Sequence, residues 1–265
     1  MVRGPGGDPA ELTRRAIAAI GGIEQFVRPG ADVIVKPNIC NAYHGPEYAS
    51  TTNPQVVGAV VAMCLAAGAK RVRVMDYPFG GTPQAAYERS GIAQAVGEAG
   101  GTMEVMSRVK FVDTEIPQGK DIQRWPIYQD VLEADVLINI PIAKHHNLAG
   151  LTLGLKNLMG VIDQRQRLHP NLHQRLADLG TRVRPTLTIV DAIRILVDHG
   201  PTGGNLDDVR QMDTIIASAD IVAADAYATT LFGKQPSDIG YIERAAAMGL
   251  GQMDLQQVKI EEISL

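Results

Sequence analysis

The sequence predicts an α/β fold, a mostly parallel sheet with helices on both faces, interrupted by a basic, His- and Arg-rich excursion. Three observations carry this. Short apolar runs at 31–35, 72–75, 134–142, 185–191 and 212–217 alternate with helical spacing along most of the 265 residues. Helices between strands are crossovers, which make neighbouring strands parallel and cover both faces. No low-complexity linker divides the chain, so 9–265 is expected to form a single domain. Residues 1–8 (MVRGPGGD) read as a disordered or cloning-derived tail, and 144–184 as a basic insertion lining the site.

The elements follow in order. Residues 10–27 place Leu12, Ala16, Ile20, Ile23 and Val27 on one helical face, with Asp8 as cap and Pro9 at the first helical position. Pro29-Gly30 ends that helix, and ADVIV (31–35) is a short buried strand. Asn53-Pro54 opens a helix that Gly68 stops. A strand at 72–75 ends at Asp76, and Thr82-Pro83 opens the next helix, with a further helical piece at 92–99. Residues 102–127 read as short strands with turns, an antiparallel excursion. ADVLINIPI (134–142) is the most apolar strand. Strands at 185–191 and 212–217, helices at 221–231 and 241–248, and a strand near 257–263 complete the pattern.

Composition excludes several classes. Hydrophobic residues make up 45% and charged residues 20%, enough apolar material for a folded core rather than a disordered chain. A net charge of −4 argues against a nucleic-acid partner. No run approaches the ~18 apolar residues of a membrane span, so no membrane partner is expected. Cys40 and Cys64 are the only cysteines and lie in no CxxC pair, which removes disulfide frameworks, zinc ribbons and ferredoxin-type cluster motifs. The N-terminus lacks a hydrophobic signal core. A reducing, cytoplasmic location is the expectation.

Polar residues collect where strands end. Ligands of open α/β sheets bind outside the carboxyl ends of the strands. The run at 31–35 empties into Lys36, Asn38 and Cys40, and that at 72–75 into Asp76. The run at 134–142 empties into Lys144, His145 and His146, and that at 185–190 into Asp191. Each end alone is an ordinary solvated terminus; together they point to one shared site. The TTNP and GGTP helix starts add candidate anion sites, or are simply caps.

Segment 144–184 holds seven Lys and Arg against two Asp, and four of the six histidines. Such a positive field in an acidic chain favours a small anion, with Lys36, Asn38, Lys144, Lys156, Asn157, Arg165 and Arg167 as its expected holders. The competing reading is a solvated basic face. His145, His146 and His169 are the expected proton-moving groups, because an ordinary imidazole titrates near neutral pH. His169 and His173 stand four apart, on one face if helical, but without the glutamate of HExxH. Cys40, His173, Asp76 and Asp191 are the candidate metal ligands. Cys64, in AVVAMCLAAG, reads as inert core. The loop DHGPTGGN lacks Walker and GxGxxG spacing, so a flavin or nucleotide stays an open alternative without a motif.

The ordered phrases VIVKPNIC, STTNPQVV, AGAKRVRVMD, IPIAKHH, LTLGLKNLMGVI, RQRLHPNLHQRLADL, RPTLTIVDAI, GPTGGN and SADIVAADAYATTLFG resemble the domain-of-unknown-function family 362 over about residues 31–260. The resemblance carries no single activity. Its members often occur beside iron–sulfur ferredoxin modules, which implies a redox setting and an iron–sulfur cluster or other metal at Cys40. Lacking ferredoxin cysteines, this chain would use a separate ferredoxin-type electron partner. Cys40 alone is too few for an all-cysteine site, so the other ligands would be His, carboxylate or water, or would come from the second chain of a homodimer, with Cys40 paired across its axis. The sequence therefore leads to the expectation of a redox- or metal-linked enzyme acting on a small anionic substrate. The alternatives are a non-catalytic anion- or cofactor-binding module and a metal-assisted phosphoryl or acyl enzyme.

Overall fold

The computed structural model describes all 265 residues. The chain begins with β1 (Val2–Arg3), α1 (Pro9–Ala19) and β2 (Asp32–Pro37). It continues through α2 (Pro54–Ala66), β3 (Arg71–Val74), α3 (Pro83–Arg89), α4 (Ile92–Glu98) and β4 (Thr102–Met103). A hairpin, β5 (Phe111–Glu115) and β6 (Arg124–Tyr128), precedes α5 (Gln129–Glu133) and β7 (Val136–Ile140). Next come β8 (Ile142–His146), β9 (Gly150–Thr152), α6 (Gly154–Asn157) and α7 (Leu172–Arg182). β10 (Leu187–Leu196), β11 (Val209–Ser218), α8 (Ile221–Thr230), α9 (Gly240–Ala247) and β12 (Ile263–Ser264) complete it.

Ten strands form one sheet in the order β12-β1-β11-β10-β7-β2-β3-β4, with β8 branching from β10 and carrying β9. The centre, β10-β7-β2-β3-β4, is parallel throughout, as the alternating pattern predicts. The β11 pairing to β10 is antiparallel. Strand alternation divides the apolar residues between two cores. Val33, Val35, Val72 and Val74 pack with α1, α2 and α4 residues such as Ile17, Val60 and Val96. Ile34, Leu137 and Val190 face the other layer, where Leu155, Leu176, Ala224 and Ile242 meet them. Cys64 lies in the first core at 0% exposure, inert as expected, and burial pushes its thiol up to about 12.

Several expectations need correction. Residues 1–8 are not a loose tail. Val2 is fully buried, and β1 sits between β11 and β12 while Asp8 caps α1 through the Ala10 and Glu11 amides. The first helix ends at Ala19 because Gly21 and Gly22 take φ of 100° and 85°, values an L side chain resists. The last strand shrinks to Ile263–Ser264. The antiparallel excursion expected in 102–127 is the β5–β6 hairpin, but Thr102–Met103 joins the main sheet beside β3. The run 134–142 divides at Pro141, and Lys144–His146 lies on β8 rather than in a loop.

Candidate functional site

The site forms where β2, β3 and β7 end, at the carboxyl edge of the parallel centre. It is a cavity of about 460 Å³. Lys36, Asn38, Cys40, Asp76 and Asn157 form one wall, and His146, Thr152 and Lys156 also line the cavity. Arg165 and His169 approach from the segment after α6, and Tyr77, Phe79 and Leu148 stand at the mouth.

A buried hydrogen-bonded chain fixes the floor. Lys36, 1% exposed, sets its Nζ 2.9 Å from Asp76 Oδ1 and donates to Asn157 Oδ1 at 2.8 Å and the Pro37 carbonyl at 2.8 Å. Burial pushes its ammonium below the ordinary lysine range, and the Asp76 carboxylate opposes that. Asp76 also accepts from the Ile39 amide at 2.5 Å and the Tyr77 amide at 2.9 Å. Asn157 donates to Asn139 Oδ1 at 2.8 Å and accepts from Asn38 Nδ2 at 2.9 Å. Lys144 lies behind this wall. Its Nζ is 3.0 Å from Asn38 Oδ1, 3.0 Å from Cys40 Sγ, 2.6 Å from the Ser50 carbonyl and 2.9 Å from the Pro201 carbonyl.

Alternation along β8 separates the His pair. His146 joins the cavity, while His145 turns away, its Nδ1 accepting from the Gly200 amide at 3.1 Å. His146 Nδ1 accepts from the Leu148 and Ala149 amides at 3.1 and 3.3 Å. A neutral imidazole with Nδ1 accepting carries its proton on Nε2. Burial, with the charges of Lys156 and Lys144, lowers its pKa to about 2. His146 is therefore a fixed hydrogen-bond donor rather than one of the proton-moving groups expected. His169 is exposed at the rim, its pKa lowered by burial and by Lys156.

Lys156 differs from the other lysines. It is 8% exposed and lines the cavity without a hydrogen bond or an ion pair. Burial lowers its pKa to about 8, opposed by Cys40, with Lys144, Arg165 and Lys36 adding repulsion. Its helix, α6, is held at the start by Asp225, which accepts from the Gly154 amide at 2.6 Å and the Leu155 amide at 2.9 Å. Arg165 donates to the Pro78 carbonyl at 3.1 Å, and its guanidinium lies 4.9 Å from the centre of the Tyr77 ring. Thr152 adds a hydroxyl that has no partner.

The expected metal ligands do not assemble. No group of three His, Cys, Asp or Glu comes together that could hold a metal ion. Asp76 is committed to Lys36. Asp191 is 1% exposed and accepts from the Asn53 amide at 2.7 Å and the Ile193 amide at 3.0 Å, anchoring the start of α2; burial raises its pKa to about 6. His173 stacks on Tyr241 with ring centres 6.2 Å apart, away from the cavity. Cys40 Sγ has an ammonium 3.0 Å away and its thiol donates to Asn38 Oδ1 at 3.1 Å, so its neighbours suit a thiolate or a hydrogen-bonded thiol, not a cation. These residues do not fit an iron–sulfur cluster or a metal ion held by this chain alone. Arg167 is also outside the cavity, its guanidinium 5.2 Å from the Trp125 ring centre. The TTNP and GGTP starts are ordinary caps, since Asn53 accepts from Gln55 and Thr82 from Ala85.

Besides Thr152, Tyr77, Phe79 and Leu148, four contributors were missed in the sequence. Asn139 continues an apolar strand, and Asp225 sits in an alanine-rich helix, so neither stands out in sequence. Gly160 brings its backbone against the Lys36–Asp76 pair, where a methyl group would overlap both. Pro201, which accepts from Lys144, comes from the glycine-rich loop noted above.

Residues 33–230 match the family described as domain of unknown function DUF362. The chain belongs to this family. Outside that description, the thylakoid-associated protein sll1697 of Synechocystis sp. is 27% identical over 252 aligned residues, covering 89% of this chain and 74% of that protein. The lactate racemase apoprotein of Thermoanaerobacterium thermosaccharolyticum shares the fold, with a TM-score of 0.52 at 12% identity over 81% of this chain. The match covers 53% of the racemase, so the chain spans about half of its length. A protein from Thermotoga maritima gives a TM-score of 0.45 at 13% identity, covering 86% of this chain and 60% of that one. No helix of this DUF362 protein is long and apolar enough to cross a membrane.

Proposed function

We propose that this protein is an enzyme acting on a small anionic substrate bound in the cavity at the carboxyl edge of the sheet. The observation that carries the reading is the charge of that cavity. Lys36, Lys156 and Arg165 face it, Lys144 stands directly behind, and Asp76 is the one carboxylate among the lining residues. Cations held on buried stems, as Lys36 and Lys156 are, attract an anion more strongly than fully solvated ones. Arg165 offers a forked donor set, suited to a carboxylate or phosphate. His146 Nε2–H is a preset donor for an oxygen on which negative charge develops. Lys156, brought down to about 8, is the group able to exchange a proton near neutral pH, and His169 stands at the rim. The shared fold of a racemase acting on lactate, a small hydroxy acid, supports the size and charge of the substrate class.

A redox or metal-linked form of this reaction would need donors from outside the chain at Cys40, because a single cysteine is too few. Anaerobically purified protein is expected to hold no stoichiometric iron; one or more irons per chain would restore the cluster reading.

Isothermal titration with lactate and with inorganic phosphate tests the anion site. Binding should weaken as salt rises, since screening acts on an open-mouthed charged site. Arg165→Gln should lower affinity by about 1.5–3 kcal/mol, a loss of about tenfold or more, as expected for a charge-assisted hydrogen bond. Arg167→Gln should leave it unchanged, because Arg167 lies on Trp125. No binding at low salt, or equal losses for the two variants, would remove the proposal.

A further inference from the structure

Three of the four basic groups at the site are already engaged. Lys36 is paired with Asp76, Lys144 is tied to Asn38, Cys40 and two carbonyls, and Arg165 is bonded to Pro78. Lys156 has neither a hydrogen bond nor an ion pair, though it is more than nine-tenths buried. An ammonium that opens on the cavity with no protein partner is left for whatever the cavity binds. Here burial and three cationic neighbours disfavour the charge, opposed by the nearby Cys40, and bring the amine to about 8. The amine is also held in place. Asp225 fixes the first two amides of α6, and the neighbouring Asn157 is locked to Lys36, Asn38 and Asn139. A desolvated lysine among cationic neighbours, projecting into a cavity from a rigid element, has the features of an activated nucleophile.

We propose that Lys156 forms an imine with a small anionic aldehyde or ketone of the 2-oxo-acid class, its carboxylate held by Arg165. This rests on the anion-site reading and names its substrate class. The step balances without an oxidant or a reductant. The Nζ lone pair attacks the carbonyl carbon, and the π pair moves to oxygen, where His146 Nε2–H donates a hydrogen bond. Proton transfer from Nζ to that oxygen gives a carbinolamine. A proton from solvent, delivered at the rim by His169, lets the hydroxyl leave as water, and the nitrogen pair forms the C=N bond of a protonated imine. A cavity of about 460 Å³ accommodates such a molecule, and Tyr77, Phe79 and Leu148 offer apolar surface to its side chain.

Trapping tests it. The full chain is incubated with pyruvate or glyoxylate and sodium cyanoborohydride, then measured by intact mass and peptide mapping. One adduct per chain, on Lys156, is expected. Lys156→Met keeps the length and removes the amine, and it should fold at least as stably because no unpaired charge remains. It should abolish the adduct, while Arg165→Gln should reduce its yield about tenfold through loss of carboxylate binding. Adducts scattered over surface lysines, or an equal yield in Lys156→Met, would overturn the proposal. Titration with inorganic phosphate separates the two readings. Phosphate binding without an adduct defeats imine formation alone, whereas absence of both defeats the anion site as well.

Discussion

Gly160 leaves room for the ion pair at the cavity floor. A methyl group there would meet both the Asp76 carboxylate and the Lys36 ammonium, each of which is nearly unexposed and cannot swing into solvent. Gly160→Ala should therefore separate the pair and weaken anion binding, with a loss of about 3–5 kcal/mol in urea unfolding if the charges part fully. Asp76→Asn is the comparison. It keeps the shape but leaves Lys36 without its counter-charge, and it should lose a similar amount; a loss below about 1 kcal/mol in both would show that the pair is not structural. At this scale the sequence was partly legible. Lys36, Asn38 and Asp76 follow apolar runs, and the carboxyl-edge rule places them together. Asp191 follows the same rule yet serves as an anchor, because a strand-end carboxylate can turn towards backbone amides as readily as towards a ligand. Gly160 was not legible, since its role depends on a pair distant in sequence.

The short helix α6 and the strand β8 show what elements add. Lys144, His145 and His146 look like one cluster in sequence, but the period of a strand sends His145 to the opposite face, so the cluster contributes two side chains to the site region. The same limit applies to the basic segment 144–184. Its charge was legible, but only Lys156 and Arg165 of its arginines and later lysine enter the cavity, while Arg167 lies on Trp125 and Arg175 pairs with Asp121. Helix α6 depends on Asp225, which is 0% exposed and caps it from α8. Burial raises the Asp225 carboxyl from 3.8 to about 7. The folded state thus holds this proton more tightly than the unfolded chain does. The contribution to stability is greatest below about 4 and is lost as pH rises through about 7, by a few kcal/mol in order of magnitude. Asp225→Asn should remove this part of the slope when urea midpoints are compared between pH 4 and 8. Parallel profiles for the two proteins would contradict the assignment.

Across the whole molecule, the parallel centre builds the site and the antiparallel flank closes the sheet. The alternation of strands and helices made the centre legible, because each crossover leaves a strand, a turn and a helix in order. The flank was legible only in part: strands near β11 and β12 were expected, but β1 and its pairing were not, because β1 and β12 are two-residue strands that pair residues from opposite ends of the chain. Val2 nevertheless shares a core with Ile17, Val33 and Ile215. β11, β10 and β7 lie between β1 and the β2 strand that carries Lys36. Changes separated in this way, with no shared partner, act additively. Val2→Ala should cost about 1.5–3 kcal/mol of stability through lost burial and the cavity left behind. It should leave lactate and phosphate affinity, and the yield of the Lys156 adduct, unchanged in the folded fraction. A fall in affinity alongside the fall in stability would mean that the flank supports the cavity through the sheet, and that the two halves behave as one cooperative frame rather than as a site and its brace.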